Sequence, residues 1–290
     1  MQIHIFGDIG GHHDQFMEAL TKLGVNTETH TVPPGVGVIQ VGDLVHRGPD
    51  GDKLVAWVDE ALKVNNRQGT GRWVQLFGNH EGHHVGGPKF SQSVKGQTVE
   101  WALSAESERT LKGWWGSKKA FMAAAVHRTD TNRDVLVTHA GLTRQTWVGV
   151  NCDLASGVDW VAATLNRQSL RSSFAPGWLL GGYYEARAGS VMPPSVAWAS
   201  AAKEVYPSWE GRECPFDQVH GHSACWNWTN DQSYLEYSMT AKLDKDRNRR
   251  FTRWTNTDGT SFYCVDQGLG RHAPRLPIAS LDVEGEILIP

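Results

Sequence analysis

Five short apolar runs along this chain end the same way, in a polar turn that contains Gly. IHIFGD ends at Asp8, VGVIQVGD at Asp43, WVQLFGNH at Asn79 and His80, VLVTHAG at His139 and Gly141, and FDQVHGHS at His220 and His222. Stretches rich in Val, Ile and Phe and bounded by Gly predict β-strands. Two helical patterns lie between the early runs. HHDQFMEALTKLG sets Phe16, Leu20 and Leu23 on one face and closes at Gly24. PDGDKLVAWVDEALKV sets Leu54, Trp57, Val58, Ala61 and Leu62 on one face. This alternation predicts an α/β sheet with helices packed on it. Ligands of such sheets lie beyond the carboxyl ends of the strands, where the Asp, Asn and His residues of all five runs fall.

Elsewhere the pattern is less regular. Residues 85–133 read as mixed and helical, most clearly in WALSAESERTLKGWWG, and residues 143–215 are rich in Gly, Pro and aromatics. Both stretches are expected as cap-like insertions in a single domain spanning 1–290. RFTRWTNTDGTSFYCVD predicts a hairpin turning at Asp258 and Gly259.

Composition narrows the partners. The chain has 290 residues, 40% hydrophobic and 20% charged, and its 28 basic and 31 acidic side chains leave a net charge of −3. That is ordinary globular composition, with no whole-molecule attraction to nucleic acid or an anionic membrane. KLDKDRNRRFTRW, with six basic residues against two acidic, is the one stretch favouring a polyanion, and such a run is more often a solvated face. Nucleic acid is therefore not the favoured partner. No apolar stretch approaches the roughly 20 residues of a spanning helix, and MQIHIFGDIGGHH lacks the features of a signal peptide. The expectation is a cytoplasmic protein. Four scattered cysteines without a C-x-x-C pair fit reduced thiols. Thirteen tryptophans without a period are expected in the core or a cleft wall.

FGNHEGHH at 77–84 admits two chemistries. HEGHH matches H-E-x-x-H, the zinc-protease signature, which requires both histidines on one helical turn. Gly82 inside the motif and Gly86-Gly87-Pro88 behind it are poor helix interior, and RWVQLF before it predicts a strand. Alternatively, GNHE is one of an ordered series: GD at 7–8, GDLVHRG at 42–48, GNHE at 78–81, THAGL at 138–142 and HGHS at 220–223. This series resembles the calcineurin-like metallophosphoesterases, and more closely their phosphoprotein phosphatase branch, which carries GDxHG, GDxVDRG, GNHE, HGGL and GH[TS]. VDQGLG at 265–270 is similar to the strand and turn that close such domains.

The resemblance implies a four-layer metallophosphoesterase fold, two mixed β-sheets packed face to face and flanked by helices. It also implies two divalent ions, Mn first with Fe, Zn or Mg as alternatives, sharing a hydroxide and clamping the phosphate of an ester substrate. By position, Asp8 binds the first metal, Asp43 bridges both, and Asn79, His139 and His222 complete the second. His80 matches the general acid and Arg47 the phosphate clamp. The activity implied is phosphomonoester hydrolysis on phosphoproteins or small esters. A dinucleoside polyphosphate or nucleic-acid-end hydrolase is the alternative, and an inactive phosphate- or partner-binding member the third reading.

Two positions depart from the series. Gly10 stands where the family has a histidine of the first metal; His12 lies two residues on, with a supporting or helix-start role preferred over ligation. His46 stands where the family has the Asp that orients the general acid. An imidazole there is expected to give a neutral hydrogen bond or a like-charge clash with His80, lowering the pKa of one of them. Glu81 is expected to take over part of the orienting. Lys203 and Arg187 are the candidates for a second phosphate-binding cation from the cap.

Overall fold

The computed structural model describes residues 1–67, 69–87, 92–94, 97–99, 102–169, 194–268 and 277–288. Its first part alternates as the apolar pattern predicts: β1 (Gln2–Phe6), α1 (His13–Lys22), β2 (Val36–Gln40), α2 (Gly51–Val64) and β3 (Arg72–Leu76). Phe16 and Leu20 of α1 and Leu54, Trp57, Val58 and Ala61 of α2 are buried, so the predicted apolar faces are the packed ones. A single turn, α3 (Asn79–Gly82), precedes the hairpin β4 (Gln92–Val94) and β5 (Gln97–Val99). Then comes α4 (Ala105–Ser117), whose N-cap Ser104 accepts from the Ser107 N–H.

The chain continues through β6 (Ala120–Phe121), β7 (Ala123–Arg128), β8 (Val135–Thr138), α5 (Arg144–Gly149) and α6 (Val158–Ser169). A π-helical turn, Ala201–Val205, runs into α7 (Tyr206–Trp209) and β9 (Asp217–His220). β10 (Trp226–Asn227) and β11 (Gln232–Ser233) form a separate small ribbon, and α8 (Tyr237–Thr240) is one turn. β12 (Leu243–Asp246), β13 (Phe251–Thr255), β14 (Ser261–Cys264) and β15 (Ser280–Leu288) end the described chain. β13 and β14 make the predicted hairpin, with Gly259 at φ +86° in its turn.

Eleven strands form one mixed ladder in the order β12-β13-β14-β9-β8-β7-β15-β1-β2-β3-β6. β1, β2, β3 and β6 are parallel. The two expected sheets share one strand: residues 280–284 of β15 pair with β1 and residues 285–288 with β7, antiparallel in both cases. The halves nonetheless face each other. Ile3, Ile5, Ile39 and Val74 from one half and Ala124, Val126, Val137 and Val219 from the other lie in a single buried cluster. Their neighbours Phe6, Val38, Trp73, Ala125 and Leu136 point the other way, into the cluster that the helices cover. Helix, sheet, sheet and helix make four layers, and strands buried on both faces account for the continuous apolar runs.

Part of the expected caps proves to be framework. β6 and β7 fall within 85–133 yet belong to the sheet. AAAVHR carries little strand propensity; pairing on both sides by β8 and β15 makes it a strand. Within 143–215, α6 is regular and packs on β7. Asn166 accepts from the N–H groups of Met122 (2.7 Å) and Ala123 (3.0 Å) and donates to the Ala123 carbonyl (2.9 Å). PGWLLGGYYEARAGS, with Arg187, lies outside the described residues. Among the described residues no helix is long and apolar enough to cross a membrane.

Candidate metal centre and catalytic cluster

The turns after β1, β2, β3, β8 and β9 meet at one edge of the sandwich. Glycines let them approach this closely. A Cβ at Gly78 would land on the Asp43 carboxylate, and one at Gly221 on that of Asp8. The turns are also strained: Asp43, His46, Arg47 and His222 all have positive φ, between 55° and 71°.

Asp43 Oδ1 accepts from the His80 N–H at 3.0 Å, and Asp8 Oδ1 from the His222 N–H at 2.9 Å. The second oxygen of each is buried without a hydrogen-bond partner. His139 donates from Nδ1 to the Val41 carbonyl at 3.0 Å. Its Nε2 faces Asn79 Oδ1 at 3.1 Å and Asp43 Oδ1 at 3.4 Å. Asn79 Oδ1 also lies 3.0 Å from His222 Nδ1. Ligand atoms of Asp43, His139 and His222 all fall within 4.8 Å of one another. Carboxylate, amide and imidazole ligand atoms gathered this closely fit a metal ion.

A third carboxylate, Asp266, is an electrostatic neighbour of Asp8 and Asp43. Asp266 is 2% exposed, accepts from the Gly268 N–H at 2.7 Å through Oδ1, and leaves Oδ2 buried without a hydrogen-bond partner. Burial first, then the charges of Asp266 and Asp43, push Asp8 well above the usual carboxylate range. Burial and the charge of Glu81 do the same to Asp43, with Asp266 adding to them. Asp266 sits in VDQGLG, a stretch whose sequence reads only as a closing turn; its lone Asp after an apolar run was the available signal. His12 faces Asp50 and Arg47 electrostatically. His220 turns into the core, with Nε2 on the Tyr206 hydroxyl at 3.0 Å.

Around this centre lie the residues expected to act on substrate. Burial, then Arg47 and His46, hold His80 well below the ordinary imidazole range. Arg47 Nη2 lies 3.4 Å from His80 Nε2 and can donate to it only while that nitrogen carries no proton. His46 Nδ1 sits 2.8 Å from His80 Nδ1, and its Nε2 sits 2.7 Å from His84 Nε2. His84 Nδ1 in turn meets Glu108 Oε1 at 3.1 Å. Glu81 does not orient His80. Its carboxylate is taken by the N–H groups of Asp43 (2.7 Å), Leu44 (2.8 Å) and Gly78 (2.9 Å), so it ties two turns together. The zinc-protease geometry is absent: α3 ends at Gly82, and His80 and His84 converge on His46.

From the cap side, Trp198 sets its ring edge against His222 at 6.1 Å, and Ser223 Oγ accepts from the Ala201 N–H at 2.8 Å. Lys203 is exposed on that π-helical turn. Each basic residue of the 242–254 stretch has a partner within the protein. Lys242, Arg247, Arg249 and Arg253 pair with Glu210, Asp231, Asp282 and Asp244. Lys245 and Arg250 lie over the rings of Trp226 and Trp228.

Comparison with known proteins gives the arrangement a family. An uncharacterised protein of Schizosaccharomyces pombe is 37% identical over 82 residues, 27% of this chain and 24% of that protein. A symmetrical bis(5'-nucleosyl)-tetraphosphatase of Delftia acidovorans is 27% identical over 146 residues, 50% of this chain and 46% of that enzyme. The chain thus spans half or less of the length of these relatives. A solved structure of a point mutant of a cold-active protein tyrosine phosphatase shares the fold. It has a TM-score of 0.51 and 12% identity, over 99% of this chain and 74% of that one. Residues 1–182, which carry GD, GDLVHRG, GNHE and THAGL, match the model of the calcineurin-like phosphoesterases. The chain belongs to that family.

Proposed function

We propose that this protein is a metal-dependent phosphomonoesterase whose centre is held by Asp8, Asp43, Asp266, Asn79, His139 and His222. The observation that carries this reading is the group of Asp43, His139 and His222, whose ligand atoms lie within 4.8 Å of one another, with the buried carboxylates of Asp8 and Asp266 as electrostatic neighbours of Asp43. Divalent ions bound there would generate the attacking hydroxide and draw charge off the phosphoryl oxygens. Carboxylate oxygens mixed with imidazole suit Mn, Fe or Zn. Asp43 faces His139 with Oδ1 and His80 with Oδ2, so it would hold metal beside the acid. Asp266 makes up for the imidazole missing at Gly10.

Arg47 clamps two phosphoryl oxygens with its planar fork, and its contact with His80 keeps the acid beside the phosphate. His80 protonates the leaving oxygen from Nε2. A dedicated acid favours esters that leave as alkoxides, such as phosphoserine or sugar phosphates, because these need the proton. A second reading, hydrolysis of dinucleoside polyphosphates, is favoured by the similarity to the Delftia acidovorans enzyme.

The experiment uses chelator-stripped protein, resupplied with Mn, Zn or Mg, on an aryl phosphate monoester and on diadenosine tetraphosphate. Turnover of the monoester that metal restores and Asp43→Asn lacks is the expected result. Turnover of the dinucleotide alone shifts the assignment to the second reading. Metal binding without turnover of either substrate rejects both.

A further inference from the structure

Beside Nδ1 of the proposed acid stands an imidazole, because His46 occupies the position of the family's Asp. The fold supplies a carboxylate two rings away. From His80 Nδ1 the chain of contacts runs 2.8 Å to His46 Nδ1, then from His46 Nε2 2.7 Å to His84 Nε2. From His84 Nδ1 it runs 3.1 Å to Glu108 Oε1. The His84 side chain is 1% exposed and that of Glu108 37%, so the chain leads from the buried centre to the surface.

Its far end sets its direction when each ring carries one proton. An ionised carboxylate only accepts, so His84 carries its proton on Nδ1. With His84 and His46 each carrying a single proton, the arrangement that a relay to His80 requires, His84 Nε2 accepts and His46 Nε2 donates. His46 Nδ1 therefore accepts, and His80 donates from Nδ1. The one nitrogen of His80 left to exchange a proton is Nε2. That nitrogen faces the centre, 3.6 Å from Asp43 Oδ2 and 3.4 Å from Arg47 Nη2. Glu108 suits the role of fixed acceptor: it lies near the N-terminus of α4, which favours an anion, with Lys112 3.7 Å away.

We propose that Glu108, acting through His84 and His46, is the positioning residue of the general acid, holding His80 protonated on Nδ1 so that Nε2 alone delivers the proton. The proposal rests on the reading of His80 as that acid. In the transfer His80 enters as the imidazolium: its Nε2–H bond breaks as the O–H bond of the leaving group forms, and the neutral ring that remains keeps the Nδ1 proton. An Asp at position 46 would bring a carboxylate directly to His80 Nδ1 and make the outer two members unnecessary.

The test compares Mn-loaded wild type, Glu108→Gln, His80→Asn and His46→Asp, the last with and without Glu108→Gln, on phosphoserine and 4-nitrophenyl phosphate. Glu and Gln have similar helix propensity, and the site is partly exposed, so Glu108→Gln folds. It is expected to lower kcat on phosphoserine about tenfold or more, with KM unmoved. The loss on 4-nitrophenyl phosphate is smaller, because nitrophenolate leaves without a proton. In the His46→Asp background Glu108→Gln brings no further loss. Nitrogen NMR of the wild-type imidazoles, with no metal added, places the protons on His84 Nδ1 and His46 Nε2.

Equal losses on both substrates, or the opposite tautomers, overturn the relay. If His80→Asn loses the phosphoserine rate and Glu108→Gln does not, the relay fails and the acid stands. If His80→Asn keeps that rate, the acid itself is misassigned.

Discussion

Both carboxylate oxygens of Glu81 accept backbone N–H groups from the turns that carry Asp43 and Gly78. Gln there would press an NH₂ group against those donors, leaving at least one buried N–H unmade at about 1–3 kcal/mol. Glu81→Gln is therefore expected to lower the urea midpoint and weaken metal binding together; unchanged metal affinity would show that the turn holds without it. Gly10 has φ +56° and room for a side chain, its nearest neighbours being 3.7 Å from an added Cβ. Gly10→His should place the absent imidazole at a left-handed penalty of about 1–2 kcal/mol and tighten the first ion. Calorimetry showing no gain in affinity would mean that Asp266 already completes that site.

Asn166 joins α6 to the start of β7 through three hydrogen bonds to backbone. Asn166→Ala would strand two N–H groups and a carbonyl in the core, and about 2 kcal/mol or more of stability should be lost in a denaturant titration. A loss near zero would mean that water replaces the amide. The other weak point is the join in β15. A Cβ at Gly285 would collide with the His127 carbonyl where pairing passes from β1 to β7. α6 and β7 were poorly legible in the sequence for a physical reason. α6 has an apolar face but adjoins a Gly- and Pro-rich stretch, and Ala-rich β7 becomes a strand through its neighbours alone.

Across the whole molecule, the crowded carboxylates make stability depend on metal. An ion that binds the folded state alone stabilises it by about 2.7 kcal/mol at a free concentration one hundred times its Kd. Chelation should lower Tm and Mn restore it, whereas Asp43→Asn should raise the apoprotein's Tm and abolish the metal response. A chelator-insensitive Tm would speak against a buried metal centre. The thiols give an independent check. All four cysteines are free and buried, and burial pushes Cys152 and Cys214 up to about 12. A raised thiol pKa means the protonated form persists, so at pH 8 roughly one part in ten thousand of either is thiolate. Native protein should resist iodoacetamide at pH 8 at these two positions, with labelling appearing only on unfolding.

The strands that end in metal-capable residues, the two early helices and the ordered motifs were all legible along the chain. Each is local: an apolar run and the turn after it are set by side chains a few residues apart. Tertiary packing settled what depends on distant partners. It closed the two half-sheets through β15 and brought Asp266 from the C-terminal turn to Asp8 and Asp43. It also turned Glu81 onto backbone, away from the His80 side chain, and linked His80 to Glu108 through two imidazoles. Glu108 is 24 residues from His84, on a helix whose apolar face gives no hint of a site, and only the packing of α4 beside the GNHE turn brings them together.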